Sequence, residues 1–147
     1  MLVAALSSAE AKTAAEKKLM TKVPDSTNSG FMYIKDEVPN GVLLDINDNG
    51  FKTVVLDSQY PVLVLFWASW SPPSRSTLYS VEHLALNYKG KIRFARFNVD
   101  EGSVAAEEYG VTQVPTILLF KNGKMIGRFD GPASDRVIDS FIKKQLK

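Results

Sequence analysis

The stretch Val62-Leu63-Val64-Leu65-Phe66-Trp67-Ala68-Ser69-Trp70-Ser71-Pro72-Pro73-Ser74-Arg75 joins two opposed local patterns across a short turn. Val62 to Trp67 is a continuous apolar run rich in β-formers, the pattern of a strand buried on both faces, and it predicts the central strand of a sheet. Pro72 and Pro73 suit the first turn of a helix, where a backbone N–H has no intrahelical partner to lose. That helix is predicted to reach Tyr88, with Leu78, Val81, Leu84, Ala85 and Tyr88 at i, i+3, i+4 spacing and Gly90 as its stop. A fully buried strand that feeds directly into an amphipathic helix points to an α/β fold.

The sequence on either side extends this reading. Upstream, Val42-Leu43-Leu44-Asp45 predicts a short strand, and Asn47 or Asp48 can cap a helix carrying Phe51, Val54, Val55 and Leu56. Downstream, Ile92 to Val99 reads as a strand and Ser103 to Tyr109 as a short helix ended by Gly110. Thr116 to Lys121, the turn Asn122-Gly123 and Lys124 to Phe129 predict a hairpin. Ser134 caps a last helix with Val137, Ile138, Phe141 and Ile142 on its apolar face. The order β-α-β-α-β-α-β-β-α predicts a central mixed β-sheet flanked by helices on both faces. Residues 1–30 form an N-terminal extension: Ser7 to Met20 reads as a marginal helix, and Pro24 to Gly30 as a turn-rich linker. The domain proper is expected over 31–147.

Composition narrows the function classes. Of 147 residues, 45% are hydrophobic and 23% charged, which suits one globular domain with a short appendage. A net charge of +2 supplies no field that selects nucleic acid or an anionic membrane. Lys89, Lys91, Arg93 and Arg96 cluster around one strand, but acidic residues are interspersed and no aromatic platform accompanies them, so a solvated face is expected rather than a nucleic-acid site. No apolar run approaches the ~18 residues of a membrane span. The start Met1-Leu2-Val3-Ala4-Ala5-Leu6 lacks a basic n-region, which disfavours a secretory signal, and the first arginine, Arg75, comes too late for an Arg-rich transit peptide. The chain therefore reads as soluble, cytoplasmic or organellar.

The sequence contains no cysteine. Disulfide staples, thiolate metal sites and thiol catalysis are excluded together, and no cofactor or metal is expected. Asp45-Ile46-Asn47-Asp48-Asn49-Gly50 matches the opening of a calcium-binding EF-hand loop, but its twelfth position is Leu56 instead of the bidentate glutamate, so a capped strand-to-helix turn is the better reading. Ser71 or Ser74 as a hydrolase nucleophile would need a base within hydrogen-bond reach. The single histidine, His83, lies nine residues from Ser74, about 13 Å of helical rise and half a turn away.

Several motifs agree in order and spacing with one family. Phe66-Trp67-Ala68-x-Trp70, Pro73, Ala95-Arg96-Phe97-Asn98-Val99-Asp100-Glu101, Tyr109-Gly110-Val111, Val114-Pro115-Thr116, Leu119-Phe120-Lys121-Asn122-Gly123 and Gly131 together resemble thioredoxin, from Val42 to Lys147. The resemblance implies the thioredoxin fold and a cis peptide before Pro115 facing the active site. Ser71 and Ser74 stand where the family keeps its two redox cysteines. Exchange needs a thiolate to attack a disulfide sulfur, and a hydroxyl in the same place forms no S–S bond. Leu65 replaces the family's buried aspartate, and Tyr79 replaces a helix-kinking proline. Loss of the proton-relay carboxylate along with both thiols favours natural loss over laboratory substitution, because it removes a buried charge with no remaining task.

What the resemblance leaves is a peptide-docking groove formed by Trp70, Pro72, Pro73, Val114, Pro115, Thr116 and Gly131. The leading expectation is a redox-inactive thioredoxin-like protein that binds a protein or peptide partner there, as adaptor, subunit or assembly factor. The alternative is a thiol-disulfide oxidoreductase whose Cys-Pro-Pro-Cys site has become Ser-Pro-Pro-Ser. A holdase without a fixed client is a weaker third reading.

Overall fold

β1 (Leu43–Ile46), β2 (Val62–Trp67), β3 (Arg93–Asn98), β4 (Thr116–Lys121) and β5 (Lys124–Asp130) make one sheet in the order β1-β3-β2-β4-β5. β2 runs parallel to β3, which runs parallel to β1, whereas β4 is antiparallel to β2 and β5 antiparallel to β4. β2 is therefore central, as its unbroken apolar run requires: Val62 through Phe66 are fully buried. The computed structural model describes residues 38–147, which form a unit of their own. The expected extension over 1–30, and the boundary near Gly30, lie outside the described residues.

The helices are α1 (Asp48–Phe51), continued by a π-helical turn over Lys52–Leu56, then α2 (Pro72–Asn87), α3 (Val104–Glu108) and α4 (Asp135–Gln145). Alternation along the strands divides the core between the two faces of the sheet. On one face Leu63 and Leu65 of β2, Phe94 of β3, and Ile117 and Leu119 of β4 pack with Leu78, Val81 and Leu84 of α2 and with Ile138 and Ile142 of α4. On the other, Phe51 meets Phe97, Tyr109 and Phe120 at ring-centroid distances of 6.3, 5.7 and 5.7 Å, and Phe66 meets Phe97 at 5.1 Å. Edge-on and tilted pairs of this kind add about 0.5–1.5 kcal/mol each beyond their buried area.

The predicted elements recur with ends moved by a residue or two. Asn47 is the cap of α1, its Oδ1 accepting from the amides of Asn49 (2.9 Å) and Gly50 (3.2 Å). The β4–β5 turn has positive φ at both Asn122 (53°) and Gly123 (79°), the geometry that a two-residue hairpin needs. A side chain at position 123 would also stand 3.0 Å from the Leu56 carbonyl oxygen. Two expectations need correction. Val137, assigned to the apolar face of α4, is 40% exposed, and the buried face is carried by Ile138 and Ile142. Arg93 does not belong to a solvated face: it is buried, and its guanidinium donates to the Val54 carbonyl and to Ser58 Oγ. Arg96 is half-buried, with its guanidinium 5.4 Å from the centroid of the Trp67 ring and its Nε 3.6 Å from Asp45. Strand alternation cannot tell a solvated basic residue from one whose head finds internal acceptors.

Candidate functional site

The segment between β2 and α2 lies at the carboxyl end of β2, next to the start of β4. Pairing of Phe66 with Thr116 sets that register and puts Trp67 and the following turn beside Pro115. The turn is held by the Ser71 amide bonded to the Ala68 carbonyl (3.2 Å), by Arg75 reaching back to the Ser69 carbonyl (2.7 Å), and by the Val99 amide bonded to the Trp67 carbonyl (3.0 Å).

Ser71 and Ser74 have different fates there. Ser71 is the N-cap of α2, in extended conformation (φ −101°, ψ 109°), with its Oγ accepting from the Ser74 amide at 3.2 Å. This satisfies one of the helix's orphan amides. Ser74 is fully buried, and its Oγ has no hydrogen-bond partner among the described residues. Among the described residues neither hydroxyl is hydrogen-bonded to a general base. His83 lies outward on α2, where Nδ1 donates to Asp135 Oδ2 at 2.5 Å. Pro72 and Pro73 occupy the first turn of α2 and are exposed.

On the β4 side, the Val114–Pro115 peptide is cis. Pro115 is buried, and its carbonyl accepts from the Gly131 amide at 2.8 Å, where Gly131 has φ 101°. Thr116 is buried too; its hydroxyl donates to the Gln113 carbonyl at 2.8 Å and lies 3.2 Å from the Asp130 carboxylate. The Ala133 amide donates to Thr77 Oγ1 at 3.2 Å, fixing the segment after β5 to α2.

Trp70 is 66% exposed and stands at the edge of a cavity of about 300 Å³. Of the residues expected in the groove, the cavity is lined by Trp70 and Val114, whereas the two prolines of α2, Pro115, Thr116 and Gly131 stand outside its lining. Its remaining walls are Val99, the α3 segment with Gly102, Ser103, Ala106 and Glu107, and the loop Val111–Gln113. Sequence reasoning missed α3 as a wall. No local signal marks it, because α3 is capped from a distance by the Asp48 carboxylate, whose oxygens accept from the amides of Val104 (3.1 Å) and Ala105 (2.8 Å). Ser103, the residue before α3, makes no side-chain cap. At the other end Arg128 donates to the carbonyls of Tyr109 and Gly110, both at 2.8 Å. Tyr109, against Phe120 at 5.1 Å, has its phenol pushed up, first by burial and then by the nearby Glu108.

A thioredoxin family model matches residues 42–144. The chain belongs to the thioredoxin family. It is 41% identical over 101 residues to the chloroplastic M-type thioredoxin of Chlamydomonas reinhardtii, covering 69% of this chain and 72% of that one. It is 37% identical to thioredoxin 1 of Nostoc sp., covering 69% of this chain and 94% of that one, and 38% identical to a thioredoxin of Acidithiobacillus ferridurans, covering 71% and 96%. Within the family fold, this member has no cysteine anywhere in its sequence. The absence fits loss of thiol-disulfide chemistry, for which a thiolate is indispensable.

Proposed function

We propose that this chain is a redox-inactive member of its family that binds an extended segment of a partner polypeptide beside the former active site, as adaptor, subunit or assembly factor. The observation that carries this reading is Trp70, two-thirds exposed and sharing a cavity with Val114. A large aromatic held in solvent at the rim of an apolar hollow is the composition of a binding hot spot. Val114 adds a main-chain contribution: among the described residues neither its N–H nor its C=O has a backbone partner outside the ladders, and β4 begins only at Thr116. An extended segment can pair there in the manner of strand addition. Ser71 supports the reading in another way, since a serine that caps α2 keeps the turn in place without a thiol.

The test is selection of nonapeptides from a random phage-displayed library on the full chain, with titration of the winners against wild type and Trp70→Ala. Peptides that bind wild type, lose roughly tenfold or more in affinity on Trp70→Ala, and are indifferent to reductant support the groove. Equal binding by the variant, or no peptide selected above background, overturns it. The double replacement Ser71→Cys with Ser74→Cys, assayed for insulin reduction, addresses the alternative: sustained turnover would favour an oxidoreductase scaffold with altered thiols, and its absence the adaptor. The buried Leu65, where the family holds a carboxylate, favours the second outcome.

A further inference from the structure

The cavity beside Trp70 has a composition that selects what enters it. Val99, Ala106, Val111 and Val114 supply apolar wall, Trp70 supplies an aromatic face, and a single charged residue, Glu107 of α3, joins the lining. Among the described residues, no basic side chain lines the cavity and no ion pair engages Glu107. Arg75, the nearest cation along the chain to Trp70, is committed to the Ser69 carbonyl. Resting on the groove reading above, we infer that this cavity is the specificity pocket of the docking site, and that it takes an arginine or lysine side chain of the partner segment.

Charge and shape both point to that occupant. A long basic side chain lays its methylene stem along apolar surface while its head reaches a polar or charged group. Its cationic head is attracted to the π face of an indole, and the planar guanidinium stacks there best. A carboxylate in the same lining, that of Glu107, completes the site with a charge-assisted hydrogen bond. An acidic side chain would meet Glu107 with like charge, and a purely apolar one would offer it no counter-charge. The volume of about 300 Å³ admits one such side chain and excludes a folded element.

The experiment uses the same nonapeptide library on the full chain. Selected peptides are expected to carry arginine or lysine at one fixed position, and replacing that residue by leucine should weaken binding by roughly tenfold. Glu107→Lys, an exposed change on α3, should turn the preference at that position to aspartate or glutamate, and Glu107→Gln should reduce discrimination between arginine and leucine from roughly tenfold to the roughly threefold that Trp70 alone supplies. Affinity for the basic peptides should also fall with added salt, more steeply for wild type than for Glu107→Gln. Peptides that depend on Trp70 but carry leucine, phenylalanine or a neutral residue at the fixed position would overturn the pocket while leaving the groove intact. An unchanged preference in Glu107→Lys would do the same. A library that yields no Trp70-dependent peptide overturns the groove and the pocket together.

Discussion

Two serines three positions apart illustrate how a side chain's worth depends on its partners. Ser71 Oγ holds the Ser74 amide at the start of α2, whereas Ser74 Oγ is buried and has no hydrogen-bond partner among the described residues. Losing an N-cap costs about 1 kcal/mol, within a range of roughly 0.5–2. A buried hydroxyl without a partner carries a desolvation penalty of about 1–3 kcal/mol, which its removal relieves. Ser71→Ala should therefore lower stability by about 1 kcal/mol, and Ser74→Ala should raise it by about 1 kcal/mol. Urea unfolding of the two variants checks this directly, because the expected signs are opposite; destabilisation of similar size in both would sink the assignment. The same comparison explains why a thiol site can become a diserine site without unfolding the turn: the first position gains a good cap, and the second becomes a small buried residue.

Elements with strong local periodicity were legible from the sequence, and those positioned by distant partners were not. Val62 to Phe66 is unbroken in its apolarity because both faces of β2 are covered, and Asn122-Gly123 predicted its hairpin because few residues accept positive φ. Of the groove residues read from the motifs, Trp70 and Val114 line the cavity and the others do not. The cavity wall made by α3 was not foreseen, since α3 is only five residues long and takes its anchors from elsewhere in the chain. Asp48 holds its amino end and Arg128 its carboxyl end, each with the sign that complements the helix dipole. Gly102 belongs to the same joint, because a Cβ there would fall 2.5 Å from the Asp48 carboxylate. Asp48→Ala leaves two amides at the start of α3 without their acceptor and should cost about 0.5–2 kcal/mol, the range of a lost helix cap. Native-state hydrogen exchange should show the Val104 and Ala105 amides opening faster in that variant while β2 amides keep the protection set by global unfolding. Unchanged exchange at Val104 and Ala105 would show that α3 is held by its packing alone.

Across the whole molecule, the packing of α2 against α4 carries a pH dependence whose sign follows from two side-chain pairs. His83 on α2 bonds Asp135 on α4, and Tyr88, the C-cap of α2, donates its hydroxyl to Asp139 on α4, which also pairs with Lys143 at 2.9 Å. The Asp135 carboxyl is held below the usual range first by the hydrogen bond from His83 and then by one from Ser80; Asp139 is held down first by the Tyr88 hydroxyl and then by Lys143. A carboxyl depressed in the folded state contributes stability that is present above its unfolded pKa of about 4 and is lost as pH falls through the lower folded value. Tyr88 behaves in the opposite sense. Burial, reinforced by Asp139, pushes its phenol well above the ordinary value, so its contribution is complete below about pH 10 and drains away as pH rises beyond that. Stability should thus form a plateau between those limits, with the acid limb set partly by Asp135 and Asp139 and the alkaline limb partly by Tyr88. Tyr88→Phe acts on both limbs: it removes the alkaline titration and deprives Asp139 of its main donor, so its deficit relative to wild type should be largest at neutral pH and shrink toward pH 3, where Asp139 is protonated in the unfolded chain. Asp139→Asn should flatten the acid limb in the same way. Urea midpoints measured from pH 3 to pH 10.5 test the pair. A Tyr88→Phe deficit that stays constant from neutral pH to pH 3 would mean that the phenol contributes by packing against Phe94, with which it stacks at 6.0 Å, and not through the carboxylate.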